Sequence, residues 1–513
     1  MGRKALATKG FLVNILQYFL QSALAILLAP LLLRVAGQET LGAYAALMQA
    51  VGYLILLDLG FTFALNRYLA YATGIDDGGT KFTNVLNTGR TFLLGVGILY
   101  ALAAVALAFG IGPLLKLSPV INSQARVAIL GLAAWGVIRF PASVYGCSLF
   151  SLQDMAFRYI SMGFANCLRL VASLGLVYWG FGLIGLVAAI IASEAVDFSV
   201  CFWRFKKLRP SIQTKWGIQD TKLFREMFSF SLQALLITIA GTFIFGTDKL
   251  IAGSLWGAAQ ASVYYTTQLP SFIGWSILTK VADNASPAIN ELYAKQDWQR
   301  LRGVYLDLYR YTLLLALPFT LGLIILNKYF MTLWVGPAQY GGIALTIWTA
   351  AFAFLVSISH ISFVFLVASG YIRVYSKINL AEGLFNVGLC ILLGWFFGLA
   401  GIAASIFLAH LINFSYVQWK IQTDLTISSK SIFSRCLLPS VEATMVSTII
   451  LICLINLINP TNWLKLLAIV ALVLISHSLA SFFLGLGRSE RKSFLDLIFT
   501  PKALIKPSAG SEI

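Results

Sequence analysis

Apolar residues in this chain come in long blocks separated by short polar connections. Fourteen such blocks can be counted, at residues 11–33, 41–66, 91–115, 126–150, 157–180, 183–203, 227–253, 257–282, 308–333, 342–368, 374–398, 400–421, 435–457 and 463–486. A helix rises 1.5 Å per residue, so about 20 apolar residues span the ~30 Å of a bilayer's hydrocarbon. Each block therefore predicts a membrane-spanning helix, and the chain reads as all-α. The second block is long, and Asp58-Leu-Gly60 predicts a kink or local break within it.

Three consecutive blocks interrupt the pattern with charge. Arg139 sits inside 126–150, Arg169 inside 157–180, and Glu194 and Asp197 inside 183–203. Arg139, Arg169 and Glu194 each fall about halfway along a span. A charge at the bilayer centre costs at least ~2.5 kcal/mol and is seldom left facing lipid, so three at one depth predict a polar cavity between helices. Arginine keeps its charge under nearly any condition and grips phosphate bidentately, which favours a phosphate-bearing anion. The competing reading is that Arg139 or Arg169 pairs with Glu194 or Asp197 and locks helices together. Arg34, Arg67 and Lys249 add positive charge toward the cavity ends, or snorkel to the interface. Asp58 and Asp248 are candidates for a coupling-ion site or for salt bridges, as are Glu194 and Asp197. Because Asp248 and Lys249 are adjacent, their side chains are expected to diverge on a helix. Glu382 and Glu442 fall near the cytoplasmic ends of their spans.

Composition agrees with the blocks. The 513 residues are 59% hydrophobic and 11% charged, with a mean hydropathy of +0.84; soluble domains run nearer 45–50% and 25%. This is the composition of an integral membrane protein. A net charge of +17 does not require nucleic acid, because the basic residues are spread over the loops. With the N-terminus inside, 29 of the 37 Lys and Arg fall on the cytoplasmic side and 6 on the other, leaving Arg139 and Arg169 within spans. That asymmetry places both termini in the cytoplasm. The N-terminal MGRKALATKG leads into a full span with no cleavage site, so no removable signal is expected. The six cysteines lie in or at the ends of spans without a CxxC, and read as packing residues.

The longest connections, 204–226 and 283–307, are cytoplasmic, and the external ones are short. The expected organisation is an N-lobe of six helices at 1–203, a basic linker at 204–226 and a C-lobe of six helices at 227–421. A further helix pair follows at 435–486, then a cytoplasmic tail at 487–513. The linker is a hinge or a topology determinant lying on anionic headgroups. A short internal repeat supports two pseudo-symmetric lobes. Pro30–Gly37 (PLLLRVAG) resembles Gly246–Gly253 (GTDKLIAG), each after a span carrying Gln17 or Gln233, and Tyr44-Ala-Ala-Leu-Met-Gln parallels Tyr264-Tyr-Thr-Thr-Gln. Parallel repeats of this kind are a transporter architecture.

Catalytic signatures are missing. There is no Walker A sequence, HExxH, GxSxG elbow or cysteine–histidine cluster, so no cofactor or metal is expected and the chain is not read as an enzyme. The histidines His360, His410 and His477 are isolated in different spans, as interhelical hydrogen-bonding residues or, for His360, a proton relay.

The segment LGAYAALMQAVGYLILLDLGFTFALNRYLA, residues 41–70, resembles the second helix of polysaccharide transporters: Wzx-type oligosaccharide flippases of the multidrug/oligosaccharidyl-lipid/polysaccharide exporter (MOP) superfamily. GTDKLIAGSLWGAAQASVYYTTQLP, residues 246–270, is similar to the same family. The resemblance implies a V-shaped pair of six-helix lobes around a central cavity, cationic where the diphosphate of a polyprenol-linked sugar passes. Alternating access would carry the head group outward, in a bacterial plasma membrane, with the tail left in the bilayer. Related lipid II flippases also have fourteen spans, the extra pair cradling the lipid tail, while several Wzx-like members have twelve; a lipid II flippase therefore stays open. With no ATPase, the drive would be a cation gradient (H+ or Na+), membrane potential or consumption of product. Rival readings are an ion-coupled multidrug exporter of the same superfamily and a membrane glycosyltransferase, polymerase or ligase. The midspan arginines would repel a cationic drug, and the short external loops lack room for catalytic residues. A non-transporting scaffold would need no buried charge.

Overall fold

The computed structural model describes residues 22, 26–74, 79–487 and 491, the side chains of residues 233, 237, 372 and 373 excepted. Most of the first apolar block, with Gln17 and the basic residues before it, and nearly all of the 487–513 tail lie outside the described residues. Every regular element among the described residues is helical. Lipid offers no hydrogen bonds to the backbone, so a spanning segment must satisfy its own peptide groups.

The helices are α1 (Ile26–Val35), α2 (Gly37–Ile55), α3 (Phe61–Thr73), α4 (Thr80–Leu115), α5 (Pro119–Ser151), α6 (Met155–Tyr178) and α7 (Gly182–Leu208). Then come α8 (Thr221–Phe245), α9 (Asp248–Trp256), α10 (Ala258–Ala294), α11 (Trp298–Trp334), α12 (Ile343–Ala368) and α13 (Ile372–Asp424). The short α14 (Ser429–Ile432) continues through a π-helical turn into α15 (Leu438–Ile458), and α16 (Trp463–Ala480) follows. Among the described residues, 11 helices are long and apolar enough to cross a membrane.

The expected break at Asp58 is present. A 3-10 turn at Leu56–Asp58 ends in two left-handed residues, Leu59 (φ 54°) and Gly60 (φ 72°), before α3 begins. Gly60 is required twice over, because a Cβ there would also lie 2.7 Å from the Ser231 carbonyl oxygen on α8. A second break, which the apolar pattern of 227–253 does not reveal, separates α8 from α9 at Gly246 and Thr247.

The segment named α13 is two helices in space, with one non-helical residue between them. A straight helix would hold Cys390 and Ser405 ~22 Å apart, yet Cys390 Sγ lies 2.8 Å from Ser405 Oγ. The reversal is at Gly398 (φ 63°, ψ −146°), a conformation open essentially to glycine alone. Several helices overrun their blocks. The 283–307 connection is mostly the end of α10 and the start of α11, and only 209–220 of the 204–226 linker is outside helix. That remainder is held against α4. The Asn87 side-chain oxygen accepts from Lys215 N at 2.9 Å, Thr91 Oγ1 accepts from Gly217 N at 2.8 Å, and the Arg90 guanidinium lies 3.7 Å from the Trp216 ring centroid.

By contacts the chain divides into two units that do not follow its linear order. The first comprises the described part of Met1–Thr267 with Ala338–Gly341 and Arg373–Ala409; the second comprises Gln268–Pro337, Gly342–Ile372 and the described part of His410–Ile513. Within the first, α4 packs along α5, α5 against α7 and α6 against α7. Within the second, α11 packs on α12 and on the α15–α16 pair.

Candidate functional site

The charges of α5, α6 and α7 all belong to the first unit and can be followed one by one. Arg139 points from α5 toward α7, where its Nε lies 3.5 Å from Glu194 Oε2; both side chains are about a quarter exposed, at 29% and 26%. The same carboxylate oxygen accepts a hydrogen bond from Trp135 Nε1 at 2.7 Å. Trp135 stands one turn before Arg139 on α5, so the two donors share a face and meet Glu194 together. The Trp135 ring stacks on Phe198, one turn beyond Glu194 on α7.

Asp197 has different partners. The Arg158 guanidinium donates to both its oxygens, at 2.7 and 2.8 Å, and the Ser161 hydroxyl donates at 2.5 Å. Asp197 is only 8% exposed, and a carboxylate so buried is stable only when paired and hydrogen-bonded. Sequence counting assigns Arg158 to the cytoplasmic cations and misses this pair. Matching depths could have found it, since Asp197 lies toward the end of its block and Arg158 stands at the start of the preceding one. Nearby, Arg204 Nε donates to Asp154 Oδ2 at 2.7 Å, a second tie between the start of α6 and the end of α7.

Arg169 is the exception. Its Nη2 donates to the Tyr44 hydroxyl of α2 at 2.7 Å, and among the described residues no carboxylate pairs with it. The two carboxylates that sequence reasoning set against the arginines are therefore engaged by Arg139 and Arg158. Arg169 stands near the middle of α6, partly exposed, with its guanidinium steered by the Tyr44 hydroxyl.

The acidic and basic residues of the repeat come together at α9. Asp248 opens α9 and is 2% exposed. Its carboxylate accepts from the Lys249 backbone N–H at 2.9 Å and from Lys249 Nζ at 3.1 Å, and Oδ1 accepts from Gln49 Nε2 at 2.6 Å. The expected divergence of Asp248 and Lys249 is thus corrected. At a helix N-terminus the carboxylate turns back toward unbonded N–H groups, and the long lysine stem reaches the same oxygen. Gln49 also accepts from Leu250 N at 2.9 Å, while the Tyr53 hydroxyl bonds to Thr247 Oγ1. The segment that carries the first repeat copy therefore binds the segment that carries the second.

The other candidates are dispersed. Asp58 accepts from Thr62 N, in the first turn of α3, at 3.1 Å, and among the described residues has no basic partner. Arg67 lies over the Phe230 ring of α8, 4.3 Å from its centroid. Arg34 is exposed near the end of α1. Each histidine bonds to another helix: His360 to Asp283 at 2.6 Å, His410 to Ser359 at 2.7 Å and His477 to the Leu314 carbonyl oxygen at 2.7 Å. No cluster of three or more metal-ligating side chains occurs among the described residues.

The second unit contributes an apolar groove of about 450 Å³ between α10, α11, α15 and α16. Ile277, Leu315, Phe319, Leu326, Leu451 and Val470 form its walls.

A family model described as polysaccharide biosynthesis protein matches residues 83–345, just over half of the chain. No curated protein matches the sequence. Among solved structures, the chain is similar to the lipid II flippase MurJ in an inward closed conformation, at 14% identity and a TM-score of 0.68, covering 92% of this chain and 99% of that one. It is also similar to a multidrug resistance MATE family transporter of the MOP superfamily. The inward-facing form matches at 16% identity and a TM-score of 0.65, over 81% of this chain and 99% of that one. The outward-facing form matches at 15% identity and 0.54, over 82% and 94%. These likenesses give the chain the fold of that superfamily.

Proposed function

The chain belongs to the polysaccharide biosynthesis protein family, and from that membership we propose that it is a flippase for undecaprenyl-diphosphate-linked oligosaccharide. It would act in the bacterial plasma membrane by alternating access through a cationic central cavity. The observation that carries this reading is Arg169, a midspan guanidinium with a phenol for a partner and no carboxylate among the described residues. A glycosylated diphosphate cannot enter hydrocarbon unaided, because its polar groups would lose their hydrogen bonds to water. A fixed guanidinium replaces part of that hydration with charge-assisted bonds to phosphate oxygens. The groove of the second unit supports the lipid half of the substrate, since its walls are mostly apolar, with Asn327 and His477 the polar side chains among them, and suit a polyprenyl chain.

A lipid II flippase is the second reading, favoured by the same groove beside α15 and α16; the two differ in the sugar and share the polyprenyl diphosphate. A cationic drug would meet repulsion at Arg169, which argues against a multidrug exporter. Arg169→Ala is expected to abolish complementation of a flippase deletion while the protein stays inserted and abundant, with Arg169→Lys recovering part of the activity. Full activity in Arg169→Ala would overturn the assignment.

A further inference from the structure

A cavity of about 670 Å³ opens in the first unit between the last turns of α3, the start of α4 and the first turns of α8. Its volume lies in the ~300–1,000 Å³ range of small-molecule sites. Three basic side chains line it, each from a different helix: Arg67 from α3, Lys81 from α4 and Lys222 from α8. Tyr68, Tyr71 and Asn84 line it too.

Two of these groups are braced from behind. The Arg67 guanidinium rests on the Phe230 ring, and Tyr68 meets the same ring edge-on with centroids 6.4 Å apart. Lys81 Nζ lies 4.8 Å from the Tyr71 centroid. Two carboxylates share the wall. Asp220 is occupied by the N-terminus of α8, accepting from Lys222 N at 2.9 Å and Leu223 N at 3.1 Å. Among the described residues, neither Asp220 nor Glu226 forms an ion pair with Arg67 or with Lys222.

We infer that this cavity is a binding subsite for a phosphorylated sugar, its phosphate held by Arg67 and Lys222 and its ring laid against Tyr68 and Tyr71. Cations on separate helices converge on one anion, and arginine supplies two donors to it in a fixed fork. Tyrosine faces pack against the C–H surface of a sugar, while Asn84 and Glu226 can bond its hydroxyls. The assignment of the ligand's source, the head group of a lipid-linked sugar collected on the cytoplasmic side, rests on the flippase reading. Arg67, Lys81 and Lys222 all belong to the side that the Lys/Arg asymmetry makes cytoplasmic.

The test is calorimetric titration of the full-length protein in detergent with a hexose 1-phosphate, with inorganic phosphate, and with vesicles of anionic phospholipid. Hexose 1-phosphate is expected to bind, and Arg67→Gln or Lys222→Gln to weaken it about tenfold, the loss of one charge-assisted contact. Arg67→Lys should retain more affinity than Arg67→Gln. Tyr71→Ala should weaken hexose 1-phosphate and leave inorganic phosphate unchanged. Binding unaltered in an Arg67→Gln/Lys222→Gln double variant overturns the subsite, and so does a response confined to the lipid vesicles. Equal losses of hexose 1-phosphate and inorganic phosphate in Tyr71→Ala would remove the sugar from the assignment. If the residue-dependent binding is seen but the reconstituted protein fails to translocate lipid-linked oligosaccharide, the subsite stands and the flippase reading fails.

Discussion

Asp197 and Glu194 stand three residues apart on α7, yet they differ in what holds them. Asp197 accepts three short hydrogen bonds in near-complete burial, whereas Glu194 is partly exposed and meets Arg139 at 3.5 Å. Removing a carboxylate that neutralises a buried arginine leaves an uncompensated charge, at a cost of about 3 kcal/mol. Asp197→Asn should therefore lower the melting temperature of the detergent-purified protein clearly more than Glu194→Gln. Equal shifts would mean that Arg158 finds another partner. For Arg139 and Glu194, a double-mutant cycle with Arg139→Gln and Glu194→Gln should give a coupling of about 1–2 kcal/mol in the same melts. A coupling near zero would return Arg139 to the pool of charges available to substrate.

Two glycines set the course of whole elements. Gly398 doubles α13 back on itself, and a side chain there would be forced into a region that costs of order 1–3 kcal/mol. Gly60 combines a left-handed backbone with contact against α8. Gly52, within α2, has ordinary helical geometry and open space where a Cβ would project. Gly60→Ala should consequently lower thermal stability and yield, while Gly52→Ala should raise stability by up to about 1 kcal/mol through helix propensity. The break at Gly60 was legible because an acid and a glycine interrupt an apolar run. The Gly398 reversal was legible only as a boundary between two blocks. The α8–α9 break carries the same kind of signal in Gly246-Thr247-Asp248, but the apolar residues on both sides make 227–253 read as a single block.

Over the whole molecule, the proposed route for the lipid tail can be blocked without touching a charge. Gly322 lines the groove on α11, and a Cβ added there meets no atom within 4 Å. Gly322→Trp should fill the groove, leave the melting temperature within a few degrees of wild type and abolish complementation. Normal complementation by a folded Gly322→Trp protein would move the lipid tail elsewhere. The family match over residues 83–345 bears on this scale and agrees with the family resemblance drawn from residues 41–70 and 246–270, while the structural similarities bear on the fold.

By itself the sequence determined the class of the molecule: apolar blocks of membrane length, few charges overall, and a small number of charged residues inside those blocks. Those properties are local, since hydrophobic length and charge placement act on each helix separately. Only the tertiary structure decided which charges are neutralised. Arg158 reaches Asp197, Arg139 reaches Glu194, and Arg169 reaches a tyrosine from a helix more than a hundred residues away. Partner choice depends on how helices rotate and how far side chains reach across their contacts, and one turn of a helix exchanges one partner for another. For the same reason Asp248 and Lys249 meet although a regular helix would separate them: the chain stops being a regular helix just before them.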